Sequence, residues 1–190
     1  MNPFEYVTVL VSIILGLGIA QILTGIADLI HQNDRVKVYW PHLLWILLVL
    51  ILHVQEWWVT YDLRHYTPWR LPVFLFVMLY PVNLFILARL LFPFGLHDEV
   101  VDLKAFYFHN YRKIFLFGGI LVLLALADSI FIRPIEVKNF VAQSVLLLLL
   151  IYMCVKKAPA PWAHKAFPVI MLVILLVAIA IEWNEWLIAD

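Results

Sequence analysis

The chain has 190 residues, of which 65% are hydrophobic and only 14% charged, with a formal net charge of +0 and a mean hydropathy of +0.97. Soluble domains are about half apolar, so this composition excludes an ordinary soluble fold, and the neutral balance with no long basic run excludes a nucleic-acid partner. The single cysteine, Cys154, excludes an internal disulfide and any CxxC metal or redox motif.

A membrane-spanning helix needs about 20 mostly apolar residues. Six segments meet that requirement, near 4–30, 39–61, 71–92, 112–132, 137–155 and 166–189. Their runs are continuously apolar, whereas barrel strands alternate. The expected fold is an all-α integral membrane protein: a six-transmembrane-helix bundle, one domain over 1–190, with short loops and the lipid bilayer as its first partner. Lys and Arg then set the orientation. With the N-terminus outside, the inner side holds Arg35, Lys37, Arg89, Lys104, Arg112, Lys113, Lys156, Lys157 and Lys165, against Arg64, Arg70, Arg133 and Lys138 outside. That bias predicts an N-out/C-out arrangement.

No Lys or Arg precedes Arg35, and the apolar run 4–30 is too long for a signal-peptide core, so it reads as an uncleaved first span. Ser12, Gly16, Ala20 and Thr24 recur four apart along it, with Gly18 and Gly25 alongside. Small residues at this spacing let helix backbones approach closely. They predict a packing face, inside the bundle or against a homo-oligomer or another membrane protein. Gln21 needs a hydrogen-bond partner in this setting, which makes the first span the expected packing centre.

The second span ends in His53, Gln55, Glu56 and Trp57, and the chain closes with Glu182, Asn184, Glu185 and Trp186. In both places a polar residue stands three positions before a glutamate flanked by an amide and a tryptophan. Residues three apart share a helix face, so each copy aims two polar groups the same way. The third span carries Pro81 and Asn83, which predict a static kink whose freed groups neighbouring helices satisfy. Between the third and fourth spans, Val100, Leu103, Phe106, Tyr107 and Asn110 recur at helical spacing. They predict a short amphipathic helix near 98–111 on the inner surface. Asp128 follows near the outer end of the fourth span, with Arg133 and Lys138 as candidate partners.

Under this topology His53, Glu56, Asp128, Glu182 and Glu185 all fall in the outer half of the bundle. Charges within spans are costly, so they pair or line a wet path. The reading is a proton or cation site, with Gln21, Gln55, Asn83 and Asn184 as secondary polar candidates. Glu56, Glu182 and Glu185 also lie within two turns of helix ends, where reaching water alone would account for them. His53, Glu56, Glu182 and Glu185 supply metal-ligand types, but in the order His-x-x-Glu rather than the Glu-x-x-His of di-iron bundles. Metal binding therefore stays open, and no cofactor is required. A membrane b-haem needs two facing histidines, and only His53 is expected well inside the layer; His42 and His164 are expected at or beyond the inner interface. No P-loop, nucleophile elbow, HExxH or dinucleotide motif is present.

The stretch FEYVTVLVSIILGLGIAQIL, with YWPHLLW and VQEWW after it, resembles a family of uncharacterised small bacterial inner-membrane proteins. The resemblance covers mainly the first two spans. It implies a multi-pass location in a bacterial inner membrane and brings no activity or site residue with it. Three functions stay open: a channel or carrier for protons or cations, a non-catalytic subunit that scaffolds or regulates a larger complex, and a metal-dependent membrane enzyme. No residue is assigned a catalytic role.

Overall fold

In lipid a chain must satisfy its backbone donors and acceptors internally, and a continuous helix does so within one segment. The computed structural model of the protein describes residues 3–93, 100–133, 137–156 and 160–181. Six long helices account for most of them: α1 (Pro3–His31), α2 (Trp40–Val59), α3 (Leu71–Leu90), α4 (Leu103–Phe131), α5 (Val137–Val155) and α6 (Pro161–Ile181). All six are long and apolar enough to cross a membrane. Pro41, Pro72 and Pro161 stand in the first turns of α2, α3 and α6. A missing N–H is tolerated there because those donors have no intrahelical acceptor.

The packing centre is α3 rather than α1. It packs against α1, α2 and α4, and 39% of its span is buried against 28% for α1. α5 packs on α4, and α6 on α2. Helix α3 continues through Pro81, and Asn83 Nδ2 donates to the Phe117 carbonyl of α4 at 2.9 Å. The amide thus serves to join two helices.

The buried face of α1 is not the small-residue stripe. Val7, Val11, Leu15, Gly18, Ile22 and Gly25 face inward, whereas Gly16, Ala20 and Thr24 are exposed and Ser12 is half-buried. A Cβ on Gly16 would meet nothing within 4 Å. At Gly18 it would overlap the His53 ring of α2, and at Gly25 the Phe92 ring. The two glycines that allow close approach are therefore the pair outside the four-residue repeat. The stripe does not mark the seam within the chain because large apolar residues, the aliphatic Val, Leu and Ile, fill most of the α1 seam, and only two bulky rings demand a glycine opposite them.

The expected surface helix near 98–111 also differs. From Leu103 the chain is helical without a break to Phe131, and Leu103, Tyr107, Asn110 and Tyr111 are buried. The apolar periodicity is satisfied by packing: Tyr107 stacks obliquely on Tyr39, 5.6 Å between centroids. Asp102 starts the helix, its Oδ1 accepting from the amides of Lys104 at 2.9 Å and Ala105 at 3.0 Å, a side-chain N-cap. The Ala105 amide first, with that of Lys104 and nearby lysine charges adding to it, holds this exposed carboxyl below its usual range. Just before the cap, β2 (Val101–Asp102) pairs in parallel with β1 (Val36–Lys37), Val36 opposite Val101. This short ladder ties the α1–α2 connection to the start of α4. α6 likewise begins earlier than expected, at Pro161 rather than near 166.

Candidate functional site

Helical spacing aims several polar side chains into one space. On α2, Leu52 and Glu56 are four apart, as are Gln55 and Val59; on α3, Phe76 and Tyr80; on α4, Leu124 and Asp128. Residues four apart share a face. These faces, with Gln143 of α5 and Arg133 just beyond α4, line a partly open cavity of about 430 Å³.

One ion pair organises it. Arg133 Nε donates to Asp128 Oδ2 at 2.7 Å, and its Nη1 donates to the Val59 carbonyl at the end of α2, at 3.0 Å. The backbone makes this reach possible: the amides of Ile132 and Arg133 both donate to the Asp128 carbonyl, at 2.8 and 3.0 Å, closing the last turn of α4. Glu56 lies within electrostatic reach of both Arg133 and Asp128, and Tyr80 of all three. Asp62, also in the lining, has Arg64 at 3.9 Å. With Asp62 so balanced, two carboxylates stand against one guanidinium, leaving one negative charge when all three are ionised. Gln55 and Gln143 each add a buried amide oxygen with no hydrogen-bond partner among the described residues.

The structure thus brings together Glu56, Asp128 and Gln55 of the expected site. It sends His53 elsewhere. That side chain is fully buried against Gly18 of α1, its Nδ1–H donating to the Val49 carbonyl at 2.7 Å, and it takes no part in the cavity lining. Positions three apart differ by about 60° around a helix, from 3.6 residues per turn. On α2, wedged between α1 and α3, that angle separates one seam from the other. Asn83 is spent on Phe117, and Gln21 is half-buried on α1, outside the lining. Glu182, Asn184 and Glu185 lie outside the described residues. Among the described residues, no group of three His, Cys, Asp or Glu side chains is placed to hold a metal ion.

Tyr80, which lines the cavity, carries a signal that was open to reading: an aromatic pair, Phe76 and Tyr80, one turn apart just before Pro81. At the other end of the bundle, His42 and His164 are fully buried among neighbouring side chains. His42 Nε2–H donates to the Leu91 carbonyl at 2.8 Å, satisfying an acceptor left over at the end of α3. His164 Nδ1 and the Tyr107 hydroxyl share a hydrogen bond of 3.0 Å, and the rings of Tyr107, Phe108, Tyr111 and Phe115 surround that imidazole.

Compared with protein-family models, with curated proteins and with solved structures, the chain matches none.

Proposed function

We propose that this chain is a multi-pass protein of a bacterial inner membrane, both termini periplasmic, that carries protons or small cations through the Glu56–Asp128–Arg133 cavity. The observation that carries the reading is the charge count of that cavity, where, with Asp62 set against Arg64, two further carboxylates face one guanidinium. Asp128 is neutralised by Arg133, so Glu56 is left to exchange its own counter-ion, a proton or a cation. Ionisable groups within spans are costly unless they pair or line a wet path, and the cavity offers that path at the helix ends. The excess of Lys and Arg on the opposite loops supports the orientation. In proteoliposomes with an internal pH-sensitive dye, Glu56→Gln is expected to abolish proton or cation flux while leaving the thermal unfolding midpoint close to that of the parent. Undiminished flux in a folded Glu56→Gln protein rules the assignment out.

A second reading, a subunit that scaffolds a larger membrane complex, is favoured by the outward small-residue stripe of α1. Gly16 has nothing within 4 Å, and such a face suits close contact with another helix. Co-purification of a stoichiometric partner, lost on Gly16→Leu, supports it; a stable homo-oligomer without any partner counts against it.

A further inference from the structure

The cavity's walls say more about its occupant than its charge does. Several of its donors are already used, Arg133 Nε and Nη1 on Asp128 and Val59 and the Ser129 hydroxyl on the Ala125 carbonyl at 2.8 Å, while the Tyr80 hydroxyl also lines the space. Among the described residues the buried amide oxygens of Gln55 and Gln143 have no hydrogen-bond partner, and the Glu56 carboxylate lines the same space. Buried acceptors without donors are costly, so a complementary occupant brings several N–H donors and one positive charge.

Size and apolar lining narrow the class. About 430 Å³ is many times the ~30 Å³ share of one water in the liquid and falls within the ~300–1,000 Å³ of small-molecule pockets. Leu52, Val77 and Leu124 supply apolar wall, and Phe76 and Tyr80 an aromatic pair one turn apart. A bare inorganic cation wants oxygen on all sides and would leave these surfaces unmatched. A proton needs no such volume. Aromatic faces also attract organic ammonium groups.

We infer that the cavity binds a small organic primary ammonium, its –NH₃⁺ held by Glu56, Gln55 and Gln143 and its apolar body packed against Phe76 and Leu124. This rests on the cation-path reading and names the class of cation for that same site. An –NH₃⁺ group has three donors and no acceptor, which matches three separate acceptor side chains.

The test is calorimetric titration of the full chain in a non-ionic detergent with benzylammonium, ammonium, potassium and the neutral control benzyl alcohol. Benzylammonium is expected to saturate at one per chain and to bind about tenfold or more tighter than ammonium, tenfold being one decade in Kd. Glu56→Gln is expected to weaken benzylammonium at least as much. Phe76→Leu is expected to weaken benzylammonium and leave ammonium unchanged. Gln143→Leu, which removes an acceptor but no charge, serves where Glu56→Gln fails to fold and is expected to weaken both amines. Ammonium or potassium binding as tightly as benzylammonium overturns the inference and leaves the cation path standing. So does Glu56-dependent proton flux with no amine binding. Benzyl alcohol binding equally well overturns it as micelle partition. A folded Glu56→Gln protein unchanged in both binding and flux overturns the inference and the cation path together.

Discussion

The imidazole of His53 occupies the space that a side chain at Gly18 would need. The ring cannot simply swing aside, because it is fully buried and its Nδ1–H is held by the Val49 carbonyl at 2.7 Å. This contact, not the four-residue repeat of small residues, sets how closely α1 and α2 approach there.

Gly18→Ala and Gly16→Ala should therefore act in opposite directions. Helix propensity favours alanine over glycine by about 0.8–1.0 kcal/mol at either site. At Gly18 the overlap with His53 adds an overpacking cost of about 1–3 kcal/mol, which wins. At Gly16, open to the outside, nothing opposes the gain. Thermal midpoints of the purified proteins should fall for Gly18→Ala and hold or rise for Gly16→Ala; the same sign for both would refute the assignment of the inner face.

Arg133→Ala should loosen the junction of α4 with α2, since one guanidinium serves both Asp128 and the Val59 carbonyl. Hydrogen bonds to charged groups contribute about 1.5–3 kcal/mol, and this pair is only 26% and 16% exposed. Solvent screening trims that figure toward about 1–2 kcal/mol. A double-mutant cycle with Asp128→Asn should return a coupling of that order, and Arg133→Ala alone should be the worse single change, because it leaves Asp128 unpaired beside Glu56. A coupling near zero would mean the pair is incidental.

Tyr107→Phe should cost about 0.5–1.5 kcal/mol, the usual net contribution of one hydrogen bond. Its hydroxyl shares a bond with His164 in a site closed to solvent. Adding His164→Phe should cost less than the sum of the two single changes, because a pair of apolar rings leaves no buried group without a partner. Additive losses would show that the two residues act separately.

Acid should fray the start of α4. The amides of Ala105 and Lys104 lower the pKa of Asp102 in the folded chain, so its cap is fully present above the ordinary aspartate range. It is lost as pH falls through the lowered, folded value. Hydrogen exchange at Lys104 and Ala105, corrected for intrinsic rates, should lose protection on that descent. In Asp102→Ala the protection should already be low at neutral pH and flat with acid. A pH profile unchanged by the substitution would contradict the cap.

The number of helices was legible in the chain because lipid enforces it locally. About 20 apolar residues in a row have one stable backbone solution in a bilayer, and the first, third and fifth segments begin where hydropathy places them. Polar content was legible too, since Glu56, Asp128 and Gln55 stand out in apolar runs for the same reason. What periodicity could not supply was the direction of each face. In a soluble helix the polar side identifies the outside; in lipid both sides of α1 are apolar, so Gly16 and Gly18 look alike until His53 and Phe92 are placed opposite them. The same ambiguity parted His53 from Glu56, set Tyr80 and Arg133 into the cavity, and buried His42 and His164 at the other end. The chain by itself determined how many helices there are and which polar groups need partners. Only the tertiary structure decided which groups meet, because with apolar residues on every side, packing shape and specific hydrogen bonds choose the contacts.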